Sequence, residues 1–174
     1  MMLEEYLVVE GRINKEKENL LALEKELRDY GLYPTITARA IGGFSLEDAA
    51  AIRIIGSILH DYYTAIENIL RTVASRIDKS IPTGEQWHRE LLEQMTLAIP
   101  GVRPQVLSTE TARELNEYRG FRHIFRNLYG FTLSSRRVAD LLSRLPAINE
   151  ALQRDLDIFQ QKMREFYGIG EGRA

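Results

Sequence analysis

Apolar residues that recur every three or four positions constrain this chain more than any other feature. From Ile52 the series runs Ile55, Leu59, Tyr62, Ile66, Ile69, Val73 and Ile77, which is the period of one helix face. The C-terminal segment repeats it through Val138, Leu141, Leu145, Ile148, Leu152, Leu156, Phe159, Met163 and Phe166. A third stripe near the start holds Tyr6, Val9, Ile13, Leu20, Leu23 and Leu27, with Glu16, Lys17 and Lys25 off it. No stretch alternates with period two for long enough to suggest a sheet. The chain is therefore expected to be all-α.

The residues between the stripes divide them into about five helices, three of them long. Gly31 and Pro34 close the first. Ser45, with Asp48 three positions on, has the spacing of a capping box that opens the second. Thr83 and Gln86 repeat that spacing before a short helix, about 85 to 98. The run from Ile99 to Pro104 breaks the chain, and Ser108 or Thr109 can cap a fourth helix, with Glu110 and Glu114 near its positive end. Gly130 sits where a glycine stops such a helix, and Ser134 or Ser135 starts the last one. Pro146 lies inside that last helix and is expected to kink it.

With 174 residues, the whole chain suits one domain and needs no staple to fold. Its 23 Lys and Arg against 25 Asp and Glu exclude a global basic field, so a nucleic-acid site must be a local patch. Cysteine is absent, which removes disulfides, zinc–cysteine sites and thiol catalysis and fits a reducing compartment. No apolar run reaches the roughly 18 residues of a membrane span. The opening MMLEEYLVVEGR carries acids where a signal peptide carries bases, so no export signal is expected.

The fourth helix departs from simple amphipathicity. With Tyr118 at zero and about 100° per residue, Leu115, Phe121, Phe125 and Leu128 fall on the buried side. Arg122 falls at about +40° and Tyr129 at about +20°, both within that side. Arg126, Arg119 and His123 follow at about +80°, +100° and +140°, so three arginines line one edge of the stripe beside a histidine. From residue 113 to 137 six arginines stand against two glutamates, a local surplus in a chain of net charge −2. Like charges three and four apart repel, so something must compensate. The compensation is either an internal acid such as Glu67 or Asp61, or an external anion such as RNA phosphate, which suits the planar guanidinium fork.

The string Arg122-His123-Ile124-Phe125-Arg126-Asn127-Leu128-Tyr129 resembles the Arg-x4-His-x-Tyr signature of HEPN-type ribonucleases. It is most similar to HepT-like toxins paired with minimal nucleotidyltransferase antitoxins. The segment from Tyr62 to Leu70 resembles the family's second core helix, and Gly84-Glu85-Gln86-Trp87-His88 and Tyr129-Gly130-Phe131 also fit. The likeness spans about residues 45 to 165. It implies a HEPN-type up-and-down bundle in a single helical domain over 1–174: an N-terminal helix at 1–30, the core at 45–166 and a flexible tail at 167–174. It further implies a cytoplasmic, metal-independent endoribonuclease toxin that needs no cofactor. Its fourth helices would face each other in a homodimer.

By the same resemblance, Arg122 steadies the RNA phosphate, with Arg119 and Arg126 as further phosphate contacts. The family's catalytic histidine corresponds to Asn127, an amide that cannot exchange a proton as imidazole does. The general base is then His123, displaced by four residues on the same helix edge, or absent. Tyr129 matches the tyrosine to which the partner transferase attaches AMP, a modification that would set a phosphodiester among the arginines. Read without the resemblance, Tyr129 is a core ring with a hydroxyl at solvent or a carbonyl. Two alternatives stay open: a catalytically weak or inactive module that binds nucleotide, RNA or the transferase, and a structural helical adaptor.

The other polar candidates carry less. His88, after Trp87 on a short helix, reads as a surface histidine without a role. His60 and Asp61 read as packing or an internal hydrogen bond. Three scattered histidines make no metal site. Ile41-Gly42-Gly43-Phe44 lacks the spacing and the following Lys of a phosphate loop.

Overall fold

Among the residues that the computed structural model describes, 2–127 and 133–169, five α-helices carry the fold. They are α1 (Leu3–Asp29), α2 (Ala49–Val73), α3 (Trp87–Met95), α4 (Thr109–Asn127) and α5 (Ser135–Phe166). Four of them have 19 residues or more, so one more helix is long than the stripes suggest. Their apolar faces merge into one cluster that includes Ile13, Leu59, Ile66, Leu115, Leu141 and Phe159. Pro146 lies within α5. No helix among the described residues is long and apolar enough to cross a membrane.

The start signals act differently from the capping-box expectation at two of the four later helices. Asp48 flanks α2, and its carboxylate accepts from the Ser45 N–H at 2.9 Å, while its side chain makes no bond into the helix. Only the reciprocal half of the expected box forms. Gln86, not Thr83, flanks α3 and makes no side-chain cap, because Gly84 turns the chain at a φ of 100° between them. At α4, Ser108 Oγ accepts from the Thr111 N–H at 3.1 Å. At α5, Ser134 Oγ accepts from Arg137 at 3.3 Å.

A small antiparallel hairpin precedes α2: β1 (Ala40–Ile41) pairs with β2 (Phe44–Ser45). Gly42 and Gly43, with φ of 55° and 85°, form its turn. Both central residues of such a turn take positive φ, which explains the glycine pair that makes no phosphate loop.

Two polar assemblies fix how the helices sit. Along α1 and α5, Glu10 pairs with Arg164, Asn14 accepts from Gln160, Lys17 pairs with Asp157, and Glu24 accepts from Asn149. The partner numbers fall as those of α1 rise, so the two helices run antiparallel. The second assembly stands at the end of α2, which finishes in a π-helical turn, Ala74–Asp78, with Lys79 in the left-handed region. There the fully buried Arg103 grips Asp78 with two N–H groups, at 2.5 and 2.8 Å. It also donates to the carbonyls of Gln94, Leu97 and Pro104. The breaker at 99–104 is thus a clamp that ties the π turn to the end of α3.

Residues 167–169 depart from the flexible tail expected at 167–174. Tyr167 stacks on Tyr6 with centroids 5.1 Å apart, and the Ile169 N–H donates to the Arg164 carbonyl at 2.8 Å. Burial of the Tyr6 ring rewards this return of the chain. The remaining tail residues, 170–174, lie outside the described residues, as does the Gly130 helix stop.

Candidate functional site

The buried side of α4 follows the helical wheel. Leu115, Tyr118 and Phe121 are buried, and the Tyr118 hydroxyl donates to the Leu141 carbonyl at 2.8 Å. Phe125 is half-buried against the His60 ring and lies close to Gly56. A Cβ at Gly56 would stand 3.0 Å from Phe125 and from Leu133, so this glycine sets how closely α4 approaches α2. Leu128 and Tyr129 lie outside the described residues, and Asn127 is described only as the last residue of α4.

Arg122 sits at the margin of that face, with 12% of its side chain exposed. Its Nη2 lies 3.3 Å from Glu67 Oε1, and its Nε donates to Thr64 Oγ1 at 3.2 Å. Glu67 is buried on α2, so the internal counter-charge that the sequence left open is Glu67; Asp61 is instead 3.1 Å from His60. The second Glu67 oxygen accepts from His88 Nδ1 at 2.5 Å. One carboxylate therefore bridges an arginine from α4 and a histidine from α3.

This corrects the reading of His88 as a histidine without a role. His88 precedes the buried Leu91, Leu92 and Met95 by three, four and seven positions, so it begins the inner stripe of α3. That spacing was the available sequence signal. An acid inside the apolar stripe of α2 was the other, since carboxylates are almost never buried without a partner.

Arg119, Arg122, His123 and Arg126 from α4, with His88 from α3, line one cavity of about 230 Å³. Arg119 donates to the neutral Asn116 at 2.8 Å. Among the described residues, neither Arg119 nor Arg126 pairs with a carboxylate. Three guanidinium groups thus line the cavity, and the buried Glu67 contacts one of them, Arg122, together with His88. Beneath them, burial and the nearby Glu67 push the Tyr63 phenol well above its ordinary range, against the pull of Arg119 and Arg122. That phenol stays protonated at neutral pH and adds no negative charge.

The volume is below the roughly 300 Å³ of an ordinary small-molecule pocket. It suits a phosphate group with part of its sugar, held by charge-assisted bonds from the arginines. Among the described residues no group of three or more metal-ligating side chains is present. Another cavity, about 600 Å³ between α1 and α2, is lined by Arg12, Lys15, Glu16 and Arg71 and contains none of these histidines.

A family model described as HepT-like protein matches residues 54–163, which is more than half of the chain and includes α3, α4 and the cavity. No curated protein and no solved structure matches.

Proposed function

The chain belongs to the HepT-like family of HEPN-type proteins, and from that premise we propose that it is a toxin-like, metal-independent endoribonuclease. The observation that carries this reading is the convergence of Arg119, Arg122, Arg126, His88 and His123 on one small cavity. Arginine forks bind phosphate, and the imidazoles can move protons beside it. Arg122 is the central phosphate contact, already aimed by Glu67 and Thr64. Arg119 and Arg126 extend the contact along the strand, and His123 supplies proton transfer.

The controlling partner is a minimal nucleotidyltransferase that attaches AMP to Tyr129, two residues beyond α4. The active unit is a cytoplasmic homodimer whose α4 helices face each other. Intact-mass spectrometry after incubation with the transferase and ATP tests the modification. Mapping of AMP to Tyr118 or Tyr167 would defeat the assignment.

The activity is tested by cleavage of a labelled RNA in EDTA. The native chain cleaves, and Arg122→Ala loses both affinity and rate. If neither protein binds RNA at low salt, the ribonuclease reading fails. A second reading, an inactive module that holds RNA, nucleotide or the transferase, is favoured by Asn127 at the family's histidine position. It predicts RNA binding without cleavage. The adaptor reading draws on the Arg122–Glu67 pair and predicts neither.

A further inference from the structure

We infer that His88 is the catalytic base of this cavity, held in its working tautomer by Glu67, and that it stands in for the histidine absent at position 127. This rests on the ribonuclease reading above. Glu67 is buried, and it is fixed from the other side by Arg122, so its carboxylate cannot swing away from His88. A carboxylate only accepts, so the imidazole nitrogen that meets it carries the proton. Nδ1 is that nitrogen. The neutral ring then keeps its lone pair on Nε2, at the far side from Glu67, and His88 lines the cavity. A carboxylate that orients a histidine and steadies the imidazolium is a general device of proton-transfer catalysis.

The placement also serves the charge. When Nε2 takes a proton, the imidazolium gains Glu67 at hydrogen-bond distance. The groups from α4 that line the cavity with it are Arg119, Arg122, His123 and Arg126, none of which carries a negative charge, so the counter-charge comes from Glu67. Glu67 is therefore a positioning residue and a counter-charge in one. His123 sits on the exposed edge of α4.

The step balances as a transesterification. Nε2 of His88 takes the proton of the ribose 2′-hydroxyl as O2′ bonds to phosphorus. The bond from phosphorus to O5′ breaks, the product is a cyclic phosphate, and the leaving O5′ takes a proton from His123 or from water. Arg122 and its neighbours stabilise the charge on the non-bridging oxygens.

The experiment compares cleavage of a labelled RNA in EDTA by the native chain, His88→Ala, His88→Gln and Glu67→Gln, with RNA affinity measured in parallel. Loss of a general base lowers the rate by about 10²- to 10⁴-fold. The expected result is that loss in both His88 variants, with affinity within about threefold of native and the helical circular dichroism kept. Free imidazole restores cleavage to His88→Ala, which a purely structural histidine would not allow. Glu67→Gln keeps part of the rate but shifts the pH profile, because the amide holds the ring without offering charge. His88→Gln can still donate to Glu67, so it keeps the test valid if His88→Ala does not fold. Native-like cleavage by a folded His88 variant overturns this inference alone. A native chain that neither binds nor cleaves RNA overturns the ribonuclease reading, and this inference with it.

Discussion

Glu67 has two oxygens and gives them to different helices, one to Arg122 on α4 and one to His88 on α3. The cost of removing it follows from burial. Arg122, mostly enclosed, would lose its only described counter-charge. Breaking a fully buried pair costs about 3–5 kcal/mol, and this one opens onto a cavity, so Glu67→Ala should cost about 2–3 kcal/mol. Urea unfolding measures it, and an unchanged midpoint would contradict the bridge. Asn127 permits a second prediction. If His88 already supplies the base, Asn127→His should raise the native cleavage rate by less than about tenfold. In the His88→Ala background the same change should recover much more, since a base is then missing. Equal gains in both backgrounds would show that the two positions do not share one task.

At the scale of elements, the segment from the π turn to α4 decides where His88 stands. Arg103 fastens the end of α2 to the end of α3, and α3 packs against both α2 and α4. Its five N–H groups are matched by Asp78 and three carbonyls, so Arg103→Ala leaves a buried carboxylate and open acceptors. The expected loss is about 3–5 kcal/mol by chemical denaturation. RNA cleavage should weaken at temperatures where the variant is still helical. A milder change tests the reverse direction. Gly11 lies within α1, and a Cβ there would meet nothing within 4 Å. Gly11→Ala should therefore stabilise by about 0.5–1 kcal/mol through the unfolded chain. The same elements show what the sequence can tell. The stripes of α1, α2 and α5 are local and periodic, and the structure follows them except at Phe166, the last position of the α5 stripe, which is exposed. The wheel of α4 put Arg122 at the buried margin, where it is. His88 was misread because its meaning depends on a contact with Glu67 across a π turn and a loop, which no local period encodes. Arg103 was hidden likewise in a run legible only as a break. Pairs of short polar residues misled the helix starts, because Gly84 and the Gly42-Gly43 hairpin redirect the chain just before them.

At the scale of the whole molecule, the first and last helices close the bundle along a seam more polar than the rest of the core. Buried acids on α1 meet Arg164 and Asn149 on α5, with Tyr6 donating to Glu10 at 3.1 Å. Such pairs fix the antiparallel register, since a shift of one residue would leave a carboxylate buried and alone. The seam should also set part of the acid limit of the fold. Hydrogen bonds from Arg164, and then from Tyr6, hold the Glu10 carboxyl below its ordinary value against the opposing effect of burial. In the unfolded chain Glu10 titrates at about 4.3. The folded form releases its proton more readily, so the unfolded chain binds more protons across the interval between the two values. Stability from this group is therefore present above the unfolded value and is lost as pH falls through the folded one. Glu10→Gln removes that dependence. The variant should be less stable than native at pH 7, and the gap should narrow as pH falls below about 4. Other carboxylates titrate in the same range, so the difference between the two proteins is the quantity to follow, by urea midpoint at each pH. A gap that stays constant from pH 7 to pH 3 would mean that Glu10 and Arg164 are not coupled in solution, and that apolar packing alone holds the two ends of the chain together.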